Sequence, residues 1–276
     1  MTQPLIKFFK IIRWKNVSLY LLLQGLLYFV WFKKQLVPTD GWLFLTLSMI
    51  FFGIFGNIQN NLADYDRDRF KENFTDFNQT SYFILMLISL IVAFIFGFTA
   101  FYLTFAPSLL YAIISIPVLL SLYNYYLKKT PLIGNSMIAL ITVLAIFIPL
   151  KFTKNLSINN PYIFFLLNMS FWLSLLRELV KDMEDQDLDG KFGYKTLPVI
   201  SLPLSRFVWL VLSIITWGIM FDYKHDFTST SYHILLLLSA IILSAAAYLI
   251  YKNQYELSTK LLKLLMLIGI FSIFFF

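Results

Sequence analysis

The sequence predicts an all-α integral membrane protein with about nine transmembrane helices. Three observations carry this. The 276 residues are 59% apolar and 19% aromatic, with a mean hydropathy of +0.74, which is more apolar surface than a soluble domain of this size can hide. Apolar stretches near the ~20 residues needed to cross a bilayer recur along the whole chain. Most charges lie in the segments between them or close to their ends.

The chain opens on residues 5–15, where Lys7, Lys10, Arg13 and Lys15 interleave with Phe8, Phe9, Ile11, Ile12 and Trp14. This is the pattern of an amphipathic segment on the membrane face, so residues 1–16 are expected to be interfacial. Four positive charges without a small-residue cleavage site argue against a cleavable signal peptide. The apolar stretches follow at 17–32, 41–58, 81–104, 107–127, 132–150, 161–180, 203–221, 232–251 and 260–276. Pro107, Pro131, Pro161 and Pro203 stand at or near span starts, where proline costs a helix least. With nine spans, seventeen of the 22 Lys and Arg fall on the N-terminal side of the membrane. The other five, Lys33, Lys34, Lys151, Lys154 and Lys224, fall on the opposite side. That bias places the rich side in the cytoplasm. One domain spanning 1–276 is expected, with motif loops at 59–80 and 181–202 on that cytoplasmic side.

Those two regions hold the chemistry. Nine of the fifteen acids lie in windows 64–68 and 178–189. Asp182, Asp185 and Asp189 are spaced i, i+3, i+7, within roughly 60° of one another on a helix face. Asn61, Asp64 and Asp68 repeat that spacing, each 121 residues earlier, with Asp66 among them. A solvated acidic helix end explains one such cluster, but scattered surface charge does not repeat at a single offset. The repeat reads as two half-sites facing each other, built from oxygen donors suited to Mg²⁺ and a diphosphate. It also suggests a duplicated unit of four helices.

Other residue types narrow the field. Cysteine is absent, which excludes disulfides and thiolate metal sites. The two histidines, His225 and His233, lie in or beside one short polar segment and read as loop residues. The net charge of +7 is spread between spans with no contiguous basic domain, so no nucleic-acid partner is expected. No obligate protein partner is inferred either. Lys128 and Lys129, in the segment 123–135, suit a diphosphate that metal alone does not neutralise, although such pairs also serve as plain topology signals.

The motifs resemble those of the UbiA superfamily of intramembrane prenyltransferases. Its first signature corresponds to Gly56-Asn57 followed by Asn60-Asn61-Leu62-Ala63-Asp64 and ending at Asp68. Its second corresponds to Arg177-Glu178, Lys181-Asp182, Glu184-Asp185 and Asp189, then Gly193-Tyr194-Lys195-Thr196-Leu197-Pro198. Arg13-Trp14-Lys15-Asn16 matches an N-terminal family motif except at its proline, and Leu127-Lys128-Lys129 through Gly134-Asn135 resembles the family's basic loop. The first motif usually has Asp where this chain has Asn61, which offers a carbonyl oxygen but no charge.

The resemblance implies a bundle of two four-helix repeats plus one helix. It implies Mg²⁺-dependent transfer of a prenyl group from an allylic prenyl diphosphate to a lipophilic acceptor in the bilayer. Asn61, Asp64, Asp68, Asp182, Asp185 and Asp189 are then the metal residues. Lys128, Lys129, Arg177 and Lys181 become the catalytic cations on the diphosphate, with Asn57 and Asn60 as further diphosphate or metal contacts. Lys195 is a weaker candidate, and Arg67 is either a phosphate contact or a surface charge. The text of the second motif is most similar to the branch acting on geranylgeranylglyceryl phosphate. Aromatic acceptors of quinone biosynthesis, or a chlorin or haem acceptor, are the alternatives within the family. Outside prenyl transfer stand a terpene-cyclising relative, a cation-coupled transporter and an inactive scaffold. A transporter would place its carboxylates near the midplane rather than at span ends.

Overall fold

A computed structural model describes residues 3–29, 39–70, 77–150 and 161–272. The described residues are helical throughout apart from turns. In chain order the helices are α1 (Gln3–Ile11), α2 (Trp14–Leu27), α3 (Thr39–Ala63), α4 (Tyr65–Asp68), α5 (Gln79–Thr104), α6 (Pro107–Tyr125) and α7 (Ile133–Leu150). They continue as α8 (Pro161–Glu184), α9 (Gln186–Lys191), α10 (Leu197–Ile200), α11 (Leu202–Asp222), α12 (Thr230–Tyr251) and α13 (Tyr255–Phe271). Their starts carry the expected signals: Pro107 opens α6, and the side chains of Asn78, Ser201 and Ser229 cap α5, α11 and α12.

Seven helices, α3, α5, α6, α7, α8, α11 and α12, are long and apolar enough to cross a membrane. Seven of the nine expected spans are thus seen among the described residues. α2 has 14 residues and α13 has 17, about 21 and 26 Å of helix against a ~30 Å hydrocarbon core. The remainder of those two apolar stretches, 30–32 and 273–276, lies outside the described residues, as do Lys33, Lys34, Lys151 and Lys154. Within the motif regions, residues 59–63 belong to α3, 65–68 to α4, 181–184 to α8, 186–191 to α9 and 197–200 to α10. Carrying the backbone hydrogen bonds onward leaves fewer polar groups unsatisfied at a membrane boundary than a loop would.

The chain divides into two compact units. One comprises residues 1–126 and 145–155, the other 127–144 and 156–276, so that α7 contributes to both. In the first unit α3 is the central helix, flanked by α2, α5 and α6. In the second, α8 packs against α11 and α13, and α12 packs against both of these. α3 and α8 are the most enclosed spans, 61% buried over their apolar windows against 28–39% for the other five. Each of these two helices carries one acidic motif at its C-terminal end.

Small residues let the helices of the first unit approach. α5 buries Ser89, Ala93 and Gly97 at successive i+4 positions, the small-residue stripe that permits close contact in lipid. Ser48 of α3 donates to the Ala93 carbonyl at 2.8 Å. A Cβ at Gly97 would lie 3.0 Å from both Ser48 Oγ and Ile113 Cγ1. Gly97→Leu is therefore expected to separate α3, α5 and α6 and to destabilise the unit by about 1–3 kcal/mol, read as a lowered Tm in detergent.

Candidate active site

Both acidic motifs are built on the same local backbone. α3 runs to Ala63, Asp64 departs from helical geometry (φ −98°, ψ 10°), and α4 resumes at Tyr65. α8 runs to Glu184, Asp185 departs likewise (φ −89°, ψ 3°), and α9 resumes at Gln186. Asp64 N donates to Asn60 O at 2.9 Å and Asp185 N to Lys181 O at 2.9 Å. Asp68 N then donates to Asp64 O at 2.8 Å, and Asp189 N to Asp185 O at 2.9 Å. Every equivalent pair is separated by 121 residues, so the repeat read in the side chains is present in the backbone. The dihedrals fall in the sparsely occupied bridge region, where active-site residues are often found.

The helix faces also sort the carboxylates. In the first motif Asp64 is buried and Asp68 half-buried, whereas Asp66 is exposed. In the second, Asp189 is buried and Asp182 and Asp185 are half-buried, while Glu184 and Asp187 are exposed. The i, i+3, i+7 positions are covered in each case, as is Glu178 one turn ahead of Asp182.

In the first unit, Arg67 Nη2 donates to Asp64 Oδ2 and to Asp68 Oδ1, each at 3.0 Å, and Arg67 Nε donates to Asp68 Oδ1 at 3.1 Å. Arg67 is thus engaged with both carboxylates of the motif. It sits where the two carboxylates converge. Asn57 Nδ2 donates to Ile12 O at 3.2 Å and Asn61 Nδ2 to Ile11 O at 3.4 Å. Asn60 is half-buried beside them.

A second layer, which the motifs did not flag, fixes this end of α3. Asn124 of α6 donates to Gly56 O at 3.1 Å and Gln59 Oε1 at 2.9 Å, and Gln59 Nε2 donates to Ser121 Oγ at 2.9 Å. Gln59 and Asn124 are buried. For Asn124 the available signal was a lone amide near the end of an apolar span, where lipid supplies it no partner.

In the second unit, Glu178 is buried and paired on two sides. Arg177 Nη2 makes a short bond to its Oε1, and Lys181 Nζ lies 3.0 and 3.1 Å from its two oxygens. Two of the four expected diphosphate cations therefore rest on one carboxylate. The basic loop joins the same assembly. Asn135 Nδ2 donates to Asp182 Oδ2 at 2.8 Å, Lys195 N donates to Lys129 O at 3.0 Å, and Lys129 Nζ stands 5.1 Å from the centroid of the Tyr194 ring. Tyr194 N in turn donates to Asp189 O at 2.9 Å, and Thr196 Oγ1 lies 3.5 Å from Asp189 Oδ2. Lys128 is half-buried in the turn ahead of Gly134.

Among the described residues, no three His, Cys, Asp or Glu side chains are gathered closely enough to hold a metal ion by themselves. The donor chemistry of each half-site nevertheless suits a hard cation. The donors are carboxylate and amide oxygens, and Asp64 and Asp68 already converge on one positive nitrogen.

Helices long and apolar enough to cross a membrane, with duplicated acidic motifs and lysines and arginines beside them, are the features of an intramembrane protein suited to an anionic ligand. Residues 21–271 match the UbiA prenyltransferase family, and the chain belongs to it. It is a prenyltransferase. Digeranylgeranylglyceryl phosphate synthase of Methanosphaera stadtmanae is 29% identical over 232 residues, covering 79% of this chain and 80% of that protein. The enzyme of the same name from Methanobrevibacter smithii is 28% identical over 236 residues, 80% and 81% of the two chains. Among solved structures, one from work on digeranylgeranylglyceryl phosphate synthase in membranes superposes with a TM-score of 0.69 at 22% identity, over 99% of this chain and 98% of that one. A UbiA homologue from Archaeoglobus fulgidus, bound to DMAPP and Mg²⁺, gives 0.67 at 16% identity over 97% and 98%. At these identities the structures speak for the shared fold.

Gly134 is what lets the basic loop close. A Cβ there would meet Leu127 O at 2.6 Å and Lys128 Cα at 2.8 Å, both backbone. Gly134→Ala is expected to push the Lys128–Lys129 turn off the start of α7 and to destabilise the protein by about 1–3 kcal/mol. A Tm measurement paired with hydrogen exchange at 127–135 checks it.

Proposed function

We propose that this prenyltransferase moves an isoprenoid chain from an allylic prenyl diphosphate to a glycerophosphate-type lipid acceptor, with Mg²⁺ as cofactor and the site on the cytoplasmic face. One observation carries the acceptor: relatives matching about 80% of both chains are digeranylgeranylglyceryl phosphate synthases. The Lys and Arg bias of seventeen to five supports the sidedness. The Archaeoglobus homologue bound to DMAPP and Mg²⁺ supports the cofactor and the class of donor.

Asp64, Asp68, Asp182, Asp185 and Asp189 would hold the metal, with the carbonyl oxygen of Asn61 available beside them. Bound Mg²⁺ supplies Lewis-acid neutralisation of the diphosphate leaving group. Lys128, Lys129, Arg177 and Lys181 bind phosphate oxygens as charge-assisted donors, with Asn57 and Asn60 as neutral contacts. Glu178 keeps Arg177 and Lys181 side by side. The reading that the two clusters serve one diphosphate rests on their repeat at a single offset. The apolar helices exclude water from the allylic centre as its bond to the diphosphate breaks, so the electrophile meets the acceptor hydroxyl instead.

The test is turnover of labelled geranylgeranyl diphosphate by purified protein in lipid, with Mg²⁺ or with chelator, offering geranylgeranylglyceryl phosphate and 4-hydroxybenzoate separately. Metal-dependent product with the first acceptor is expected. Product only with the aromatic acceptor moves the chain to the quinone-type reading, and no metal-dependent consumption of the donor overturns the proposal. Asp64→Ala and Asp185→Ala are each expected to lower turnover more than about a hundredfold while the protein stays folded in detergent. Asn135→Ala releases Asp182 and should raise the half-saturating Mg²⁺ concentration about tenfold, measured by metal titration of the initial rate.

A further inference from the structure

The carbonyls of Ile11 and Ile12 mark the C-terminal end of α1. Its backbone bonding finishes with Ile12 N on Phe8 O and Arg13 N on Lys10 O, and Arg13 then takes the left-handed conformation at φ 53°. Carbonyls in a helix's last turn have no partner within the helix and carry the negative end of its dipole. Here they are met by the side-chain amides of Asn57 and Asn61, which donate to Ile12 O and Ile11 O at 3.2 and 3.4 Å. The side chains of Ile11 and Ile12 are themselves buried. α1 is therefore seated by two apolar side chains and two amide donors, and both donors come from α3.

Asn57, Asn61, Asp64 and Asp68 are spaced i, i+4, i+7, i+11, one continuous face of the motif. The repeat shows what is particular about position 61. Its equivalent 121 residues on is Asp182, a carboxylate that accepts from an amide, Asn135 Nδ2. At position 61 the polarity is reversed: the side chain is the amide, and it donates to a carbonyl. A carboxylate there could only accept, and it would face the oxygen of Ile11.

We infer that Asn57 and Asn61 are positioning residues that seat α1 against the first motif, and that position 61 carries an amide because it has to donate. Asn61 joins the interfacial helix to the first motif, its Nδ2 engaged with Ile11 O. The inference rests on the proposed function only for what the seating serves. The seating itself is tested without catalysis.

The chain has no cysteine, so single cysteines report directly. Ile12→Cys places a thiol at a buried position and Lys10→Cys an exposed one; Ile11→Cys stands in if Ile12→Cys fails to fold. Maleimide labelling in lipid nanodiscs is expected to be slow at 12 and fast at 10. Adding Asn61→Asp or Asn57→Leu should speed labelling at 12 about tenfold and leave position 10 unchanged. In the cysteine-free chain, Asn61→Asp should raise KM for the prenyl diphosphate more than it lowers kcat, without lowering the half-saturating Mg²⁺ concentration. Unchanged labelling at 12 with Asn61→Asp overturns the inference, as does a lowered Mg²⁺ requirement, which would make position 61 a metal ligand first. Absence of turnover in the parent chain would defeat the proposed function while the labelling result still decides the seating.

Discussion

Hydrocarbon offers a backbone no hydrogen-bond partners, so a helix that reaches a membrane boundary has to keep its own bonds or find substitutes. α3 and α8 meet this constraint in the same way. Each pauses for one residue, Asp64 or Asp185, and resumes at once as a short helix. Amide-to-carbonyl bonds from residue i to i−4 persist through both pauses. The pause turns the chain enough to present carboxylates at i, i+3 and i+7, while the surrounding backbone stays satisfied. Because α3 and α8 are also the most enclosed helices of their units, whatever the motifs bind is braced by the best-packed part of each.

Bracing continues through side chains that are neither acidic nor basic. Asn124, Gln59 and Ser121 fix the end of α3 from α6, and Asn135 fixes Asp182 from the start of α7. These partners are amides and a hydroxyl, groups that orient a neighbour without adding charge near a site that must balance several negative ones. The two half-sites differ here. The second has its aspartate held by an outside amide, and the first uses its own amides to hold another helix.

Much of this was legible in the sequence because periodicity and charge are local. The 121-residue offset and the shared helix face of positions 64 and 68, and of 182, 185 and 189, could be read without coordinates; the bonds that tie the basic loop to the second motif could not. The i, i+3, i+7 spacing speaks for helix at 61–68 and 182–189, but not for where α3 and α8 pause, because polar residues at the end of an apolar run also look like the start of a loop. Only the bonds to Asn60 O and Lys181 O show that the helix goes on. Arg67 was ambiguous for a different reason. Its partners are one and three residues away, and sequence does not reveal which rotamer joins them.

That rotamer gives the first half-site a property beyond binding. Two carboxylates brought together by a fold repel each other, and an empty site made only of them would be pressed to open. Arg67, bonded to both at 3.0 Å, acts as a resident counter-ion, so the junction of α3 and α4 keeps its two carboxylates together with a charge of its own chain.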